Sequence, residues 1–344
     1  MHGSKSILVK GACGLGLGFA CQDLLTRFNA ADNVDLDKEK YKAQEVDLLG
    51  KILRTLLLMT SQLSNASYDI LESLPPFFGM GANDMEINWT SDLLLEKCDD
   101  LEEDPWGVAG LVLGLGISFN AIYRAGAHDA MLKIKDLIIS WIPHVNSLVT
   151  NSSFSSEGRE KALSVGSCLA LPSVVAFCRR VEMINDNELD QLLKGYHELI
   201  SELLSVKKSG TFHQSLMLAS CIGAGSLVAC ILNEGAHPLE AEFVKGLLEM
   251  FRKCYCSSFP PIIHLGGMLG AVNAMGAGAG ILVHAHHFSA SIKTACEQKV
   301  ISYILCFWKS YPHKNRGLCF EYHSLFWLTG IFSYFGPFTF KPFL

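Results

Sequence analysis

The sequence has no excess of basic residues. Of its 344 residues, 28 are Lys or Arg and 34 are Asp or Glu, which gives a net charge of −6. A protein that binds nucleic acid through its phosphates usually presents a dense basic surface. We therefore expect no direct contact with nucleic acid.

The motifs of the common enzyme classes are also missing. The chain has no Gly-x-Ser-x-Gly elbow, no His-Glu-x-x-His helix, no Walker motif and no kinase signature. Gly14, Gly16 and Gly18 superficially resemble a dinucleotide-binding loop, but no strand precedes them. Paired carboxylates such as Glu102 and Glu103 lie in charged stretches that suggest no pocket for acid-base chemistry. We predict a protein that is not an enzyme and takes no cofactor, with an unrecognised enzyme as one alternative.

Cysteine and histidine do not occur at the spacings of a zinc site. A Cys-x-Cys pair is followed far along the chain by His-x-His-His, and the glycine-rich stretch between them gives no reason for the two to converge. We interpret the following residues as ordinary helix-end residues and predict no metal site: Cys254, Cys256, His264, His284, His286 and His287.

The twelve cysteines are scattered along the chain. Most lie in apolar helical stretches, where a free Cys behaves as a small hydrophobic residue. The first residues lead into an apolar stretch without a convincing small-residue cleavage site. We therefore expect a reducing, cytoplasmic environment, in which the glycosylation motifs at Asn65, Asn88 and Asn151 have no role.

What the sequence does contain is an internal repeat rich in glycine. Each copy reads as an apolar helix, a tight turn and an amphipathic helix, and the first copy predicts one apolar helix over 108–123. Similar glycine-rich stretches at 7–28, 162–177 and 262–283 give a unit of about 50 residues. Five identities recur at one offset: Gly114, Gly116, Gly126, Ala127 and His128 return as Gly223, Gly225, Gly235, Ala236 and His237.

The turn between the two helices has its own signature. Gly235 is the usual residue for a left-handed helix end, and Pro238 suits the first turn of the next helix. The repeated His128 and His237 would lie far from one another in an array. We interpret them as capping or turn residues and not as catalytic bases.

The composition of the helices predicts how they pack. A helix that is apolar all round needs neighbours on more than one side, so we expect the glycine-rich helices to form a buried inner layer. Each glycine inside a helix costs about 1 kcal/mol relative to Ala, and close backbone approach at Gly114, Ala219, Gly223 and Gly225 would explain the clustering. We predict an all-α fold, a HEAT/ARM-like α-solenoid over residues 1–300, with an atypical or truncated C-terminal segment over 301–344.

A multi-pass membrane protein packed through glycine is the main alternative. The stretches 106–123 and 215–233 are each about long enough to cross a bilayer, and glycine is tolerated in membrane helices. Against this, the stretches contain Gly, Ser and Asn, we expect Pro172 to break a third stretch, and the intervening helices carry charges on one face. We therefore expect no membrane contact.

The glycine-rich helices also resemble a known family. The segments Gly107-Val-Ala-Gly-Leu-Val-Leu-Gly-Leu-Gly116 and His264-Leu-Gly-Gly-Met-Leu-Gly-Ala-Val-Asn273 are similar to the C-terminal region of the focadhesin-like family, most of all its plant members. The resemblance covers about residues 1–300. Because members of that family are far longer, it also implies that this chain is a fragment or a short gene model.

The resemblance implies a function that the residues alone do not. It implies a cytoplasmic helical-repeat scaffold, without catalysis, that bridges the RNA exosome to the Ski complex in mRNA decay. Its partners would be exosome and Ski complex subunits. A second resemblance is to the glycine-rich paired helices of the large scaffolding subunits of the proteasome base, which implies a scaffold with a different partner.

Overall fold

The fold is described from a computed structural model of the chain. All described elements are α-helices, and no strand occurs among them. The all-α prediction is therefore confirmed for this part of the chain. The structure describes residues 7–26, 36–64, 66–67, 69–70, 105–145, 161–206, 210–233, 241–256 and 258–274.

The helices follow the predicted alternation of apolar and amphipathic segments. The helix bounds in chain order are α1 Ile7–Gln22, α2 Leu36–Ser61, α3 Pro105–Ile117, α4 Phe119–Arg124, α5 His128–Ser140, α6 Lys161–Arg180, α7 Asp186–Ser205, α8 Thr211–Asn233, α9 Ala241–Cys256 and α10 Pro261–Ala274.

The chain divides into two compact units, Met1–Ser220 and Cys221–Leu344, and the division falls within α8. Each unit has its own buried apolar residues. In the first unit these come chiefly from α3, α5, α6 and α7, and in the second unit from α8, α9 and α10. The two units are described separately below.

Glycine brings the backbones of α1 and α3 into direct contact in the first unit. A Cβ placed on Gly18 would lie 2.6 Å from the Cα of Gly114, and one placed on Gly11 would overlap the carbonyl of Gly107. From the Gly11–Gly107 contact to the Gly18–Gly114 contact, both helices advance seven residues towards the C-terminus. The helices α1 and α3 therefore run parallel. The structure thus confirms the prediction that Gly114 permits close backbone approach.

The opposite side of α3 packs in the same way on α6. A Cβ on Gly166 would lie 2.7 Å from the Cα of Ala109, and a Cβ on Gly116 would lie 3.1 Å from the Cβ of Ala170. The residue later in α3, Gly116, contacts the residue later in α6, Ala170, so α3 and α6 are also parallel. Since α3 has a neighbour on both sides, nearly all of its residues are buried, as its apolar composition predicts.

The helix predicted over 108–123 is present as the helical stretch Pro105–Arg124, with an irregularity at Ser118 between α3 and α4. The N–H of Ser118 still donates to the carbonyl of Gly114, and the N–H of Ile122 donates to that of Ser118. The hydroxyl of Ser118 donates a hydrogen bond to the carbonyl of Leu115 at 2.7 Å. A serine that bonds back into its own helix competes with the regular backbone pattern, and it commonly bends the helix at that point.

The turn predicted around Gly126 is present. Gly126 has a φ of +78°, which a residue without a side chain adopts at little cost. The N–H of Gly126 donates to the carbonyl of Tyr123, and the N–H of Ala127 donates to that of Ile122. These two hydrogen bonds close the C-terminal end of α4. His128 is the first residue of α5. The equivalent turn of the second copy, residues 235–238, lies outside the described residues.

The helices α5 and α7 are amphipathic, as predicted. Both bury one apolar face. At the start of α7, the side chain of Asn185 caps the helix by accepting a hydrogen bond from the N–H of Glu188 at 2.8 Å. The apolar residues that α7 buries are Leu189, Leu192, Leu193, Tyr196, Leu199, Ile200 and Leu203.

The expectation that Pro172 breaks a helix is wrong. Pro172 lies inside α6, which continues to Arg180. A proline has no N–H, so the carbonyl four residues earlier, that of Cys168, loses its helical partner. The hydroxyl of the fully buried Tyr196 donates to this carbonyl at 2.8 Å. A side chain from α7 therefore supplies the hydrogen bond that the proline removes.

The second unit repeats the packing through glycine. A Cβ on Gly270 would lie 2.6 Å from the carbonyl oxygen of Cys221, and one on Gly225 would overlap the carbonyl of Gly270. The side chain of Asn273 also donates to the hydroxyl of Ser226 at 3.0 Å. The predicted role of Gly225 is confirmed, and Ala219 and Gly223 are both buried.

Three helical stretches are long and apolar enough to cross a membrane by length and composition alone. They are Pro105–Arg124, Lys161–Arg180 and Thr211–Ile231, and 72% to 78% of each is buried inside the protein. The predicted C-terminal segment 301–344 and the glycosylation motifs at Asn65, Asn88 and Asn151 lie outside the described residues. The HEAT/ARM-like solenoid remains a prediction.

Candidate interaction surface

The exposed faces of α5 and α7 carry charged side chains. On α7, Lys194, Glu198 and Glu202 are exposed at intervals of four residues, so they form one stripe along the helix. Two lysines stand against four carboxylates, which makes this face acidic. We call the following six residues the outer surface: Asp129, Lys133, Asp136, Lys194, Glu198 and Glu202.

A buried ion pair joins the two helices beneath the outer surface. The side chain of Lys135 on α5 is only 8% exposed, and its Nζ donates to Oε1 of Glu188 on α7 at 2.7 Å. Asp136 is a second carboxylate, 3.6 Å away. A buried ammonium is costly without such a partner. The pair therefore holds α5 and α7 in one relative position.

Burial and the interaction with Glu188 shift the pKa of Lys135 in opposite directions. Burial by itself lowers the pKa of the ammonium, but the hydrogen bond and the negative charge of Glu188 outweigh burial, and the net direction is upward. Burial raises the pKa of the Asp136 carboxyl, and Lys135 opposes this change. Lys135 therefore carries its charge throughout the physiological range.

A second link joins α7 to the turn after α5. Nε2 of His144 pairs with the carboxylate of Glu202, and its Nδ1 lies 3.9 Å from that of Glu198. The backbone of His144 is left-handed, with a φ of +65°. Gly195 makes room for this turn, because a Cβ at that position would lie 2.6 Å from Cγ2 of Val145.

An aromatic cluster borders the turn before α5. The ring of Tyr123 stacks on that of His128 at 4.8 Å and meets the edge of Phe177 at 5.6 Å. Ala127 occupies the N-cap position of α5 and His128 the first helical position, so His128 borders the turn and is not the N-cap residue. Next to it, Nη1 of Arg124 is buried without a hydrogen-bond partner.

The buried thiols described in the first unit are poor nucleophiles. Burial raises the pKa of Cys21 to about 11, that of Cys168 to about 12 and that of Cys178 to about 11. The thiolate is the reactive form of cysteine, and at neutral pH these groups remain protonated. They act as small packing residues.

The potential metal ligands do not converge in the described part of the chain. No group of three or more His, Cys, Asp or Glu side chains is placed there to hold a metal ion. Cys254 is buried on α9, with its sulfur 4.0 Å from that of Cys221. Cys256 ends α9 and His264 lies in α10. His284, His286 and His287 lie outside the described residues.

Sequence reasoning missed the Lys135 pair, although a signal was present. Lys135 falls four residues after Met131 and three before Ile138, both of which are buried. A charged residue within an apolar stripe needs a partner from another element. The partner itself, Glu188, lies 53 residues away in sequence, and nothing in the sequence selects it from the other carboxylates.

The outer surface presents charged side chains on two helices that the Lys135–Glu188 pair joins. Such a surface can recognise a partner by charge and shape. Comparisons of the chain with protein-family models, with curated proteins and with solved structures gave no match.

Proposed function

We propose that this chain is a non-catalytic helical-repeat scaffold that binds other proteins through the outer surface. The observation that carries the proposal is the link between α5 and α7. The Lys135–Glu188 pair joins two charged helices, and His144 adds an exposed contact between α7 and the turn after α5. A surface that is already ordered loses little conformational entropy on binding, so it suits a protein that holds partners together.

The HEAT/ARM-like solenoid is part of this proposal. In the first unit, α1, α3 and α6 lie side by side and parallel, and the amphipathic helices α5 and α7 follow α3 and α6 along the chain. Parallel inner helices with intervening outer helices are the arrangement that a solenoid of helix pairs requires. The recurrence of about 50 residues in the sequence supports the same arrangement.

The partners follow from the resemblance to the focadhesin-like family. We propose cytoplasmic partners, namely subunits of the RNA exosome and the Ski complex, and a place in mRNA decay. The charge of the outer surface adds a chemical expectation, because its excess of carboxylates favours a partner segment rich in Lys and Arg. A proteasome-base-like scaffold is the alternative with the same architecture and a different partner.

The test is affinity purification of the tagged chain from cytosol and from membranes, with mass spectrometry of the proteins recovered. We expect exosome or Ski subunits from cytosol. Recovery of proteasome subunits would favour the alternative scaffold. Recovery of neither complex would overturn the proposed partners.

Charge reversal tests whether the outer surface makes the contact. Asp129→Lys combined with Glu198→Lys should reduce partner recovery, because both side chains are exposed and neither belongs to the Lys135 pair. Glu198 lies 3.9 Å from Nδ1 of His144, but Glu202 still pairs with Nε2 of that ring in the variant. The matched control combines Glu39→Lys and Glu242→Lys, which changes the net charge equally at exposed positions elsewhere. Equal recovery with both double variants would exclude the outer surface. Circular dichroism checks that both remain folded.

The membrane alternative is favoured by one observation, the three helical stretches long enough to cross a bilayer. We take these stretches as core helices, because most of each is buried inside the protein and glycine contacts join two of them. Extraction of membranes with carbonate separates the two proposals. Retention of the chain in the washed membranes would favour membrane spans, and release would favour the scaffold.

A further inference from the structure

Two buried thiols from different helices lie in contact in the second unit. Cys221 belongs to α8 and Cys254 to α9, and their sulfur atoms are 4.0 Å apart. Both side chains are fully buried. Two sulfur atoms at this distance are not bonded, since a disulfide joins its sulfurs at about 2.05 Å. A short movement of the side chains would bring the pair from the reduced to the oxidised form.

The glycines of α10 hold both cysteines in place. A Cβ on Gly270 would lie 2.6 Å from the carbonyl oxygen of Cys221, and a Cβ on Gly267 would lie 2.5 Å from the Cβ of Cys254. The helix α10 therefore rests against α8 at one cysteine and against α9 at the other. Groups that are held next to one another react much faster than the same groups on separate molecules.

Cys254 lies in the last turn of its helix. The helix α9 ends at Cys256, and α10 begins at Pro261. The last carbonyls of a helix have no partner within the helix, and helix ends open at a lower free energy than the core of a protein. Cys254 is therefore protected in the closed protein and becomes accessible to a small oxidant when the end of α9 opens.

We propose that Cys221 and Cys254 form a reversible disulfide, and that this bond controls how readily the end of α9 separates from α8. In the reduced state the last turn of α9 can move away from α8. In the oxidised state a covalent bond joins two positions that are 33 residues apart in the sequence, and the end of α9 stays on α8. The redox state of the pair thus sets the opening of this part of the second unit.

The oxidant is a small peroxide such as hydrogen peroxide. The sulfur of Cys254 attacks one peroxide oxygen, the O–O bond breaks, and the hydroxide that leaves takes up the thiol proton to give water. Cys254 is then a sulfenic acid. The sulfur of Cys221 attacks that of Cys254, the S–O bond breaks, and the second hydroxide takes up the proton of Cys221. Two thiols are thereby oxidised to one disulfide, and one peroxide is reduced to two water molecules.

The surroundings of the pair favour a bond that is easily reduced. The sulfur atoms must approach one another by about 2 Å, although the glycine contacts restrict the backbone at both cysteines. A disulfide that forms under such constraint is reduced more readily than a relaxed one. In a reducing compartment such as the cytoplasm, disulfides are usually transient or act as redox sensors. The pair therefore suits a switch better than a permanent cross-link.

The first experiment is treatment of the folded full chain with hydrogen peroxide, followed by denaturation, alkylation of the remaining thiols, digestion and mass spectrometry. We expect a cross-linked peptide pair that contains Cys221 and Cys254, and we expect dithiothreitol to remove it. Alkylation of both cysteines after the treatment would overturn the proposal. So would oxidation of Cys254 to a sulfinic acid without a bond to Cys221.

Cys221→Ser tests whether the two thiols act as a pair. Serine keeps the size of the side chain, and inside a helix its hydroxyl can bond to the carbonyl four residues earlier. Without the second thiol the sulfenic acid of Cys254 persists, so we expect a dimedone probe to label Cys254 severalfold more than in the wild type. Equal labelling of Cys254 in both proteins would overturn the pairing.

Cys178→Ser is the matched control. Cys178 is also a fully buried thiol, but it lies on α6 in the first unit. We expect the Cys221–Cys254 disulfide to form in this variant as it does in the wild type. Circular dichroism checks that both serine variants remain folded.

Hydrogen exchange measures the effect of the bond on the second unit. Amide protons in the last turn of α9 should exchange severalfold more slowly in the oxidised protein than in the reduced protein, because the bond blocks the opening that exposes them. The helix α5 of the first unit is the internal reference. Equal exchange at the end of α9 in both states would overturn the switch even if the disulfide forms. The proposed scaffold function is tested separately, by partner recovery.

Discussion

The inner helices α1, α3 and α6 and the outer helices α5 and α7 are held together by opposite means. The inner contacts place backbone against backbone, and at Gly110 and Gly114 no room remains for a single methyl group. The outer helices keep long side chains and join through Lys135 and Glu188. The comparison shows that the inner contacts depend on the absence of side chains, whereas the outer helices add a charged pair to their apolar packing.

The largest expected effect comes from a methyl group in the inner layer. A Cβ on Gly114 would overlap the carbonyl of Gly14, and backbone cannot move aside as a side chain can. We expect Gly114→Ala to lower the free energy of unfolding by about 3 kcal/mol, at the upper end for overpacked cores. Urea denaturation measures the change.

The matched control should change the free energy of unfolding in the opposite direction. Gly16→Ala adds the same methyl group to an exposed position with open space, so the better helix propensity of Ala should raise stability by up to about 1 kcal/mol. Equal effects of the two substitutions would show that the inner contacts do not depend on glycine.

The second largest loss of stability is expected when the buried ammonium of Lys135 is removed. Lys135→Met keeps the length of the side chain but leaves Glu188 without its partner. Breaking a buried pair costs roughly 3 to 5 kcal/mol, and since the side chain of Glu188 is 26% exposed, we expect about 2 kcal/mol. The double substitution Lys135→Met with Glu188→Leu should recover most of the loss.

The same pair predicts a pH dependence at alkaline pH. The pKa of Lys135 is raised above its ordinary value of 10.5 in the folded protein. The stability that its charge contributes is fully present below that value and is lost as the pH rises through the folded-state pKa. The stability difference between the wild type and Lys135→Met should therefore be constant near neutrality and shrink above about pH 10.5.

A smaller effect is expected at the hydrogen bond that spans the two layers. Tyr196→Phe removes the donor to the Cys168 carbonyl, which should cost about 1 kcal/mol. Pro172→Ala restores the helical N–H donor to that carbonyl. In a double-mutant cycle, Tyr196→Phe should therefore cost less in the Pro172→Ala background, and strict additivity would contradict the exchange of partners.

The smallest effect is expected on the exposed link. His144 and Glu202 are 36% and 61% exposed, and exposed pairs contribute little because water and salt screen them. We expect Glu202→Gln to change the free energy of unfolding by less than about 0.5 kcal/mol. The exposed pair Lys51–Asp47 on α2 provides a comparison of the same kind, through Asp47→Asn.

Much of the local structure could be predicted from residues next to one another. The Asn185 cap, the left-handed Gly126 and the apolar stripes of α5 and α7 all depend on contacts within a few residues. The error at Pro172 has the opposite origin. Its compensating donor, Tyr196, comes from a different helix, and local propensity contains no information about it.

Less of the candidate site than of the local structure could be predicted from the sequence. The charged face of α7 follows from helical spacing, but the partner of Lys135 does not. Specific pairs between distant helices depend on where each backbone lies, and several carboxylates would satisfy the same chemistry. Sequence pattern therefore predicts that a charged outer face exists, and geometry selects the pair that fixes it.

The amino-acid sequence by itself determined that the described part of this chain is helical, that its helices alternate between apolar and amphipathic, and that glycine marks close contacts. These properties follow from periodicity and from the size of each side chain. Only the tertiary structure decided which glycines meet, that α6 continues through Pro172, and that Gly16 faces open space. Those outcomes depend on which backbone lies opposite each residue, and a linear pattern does not contain that distance.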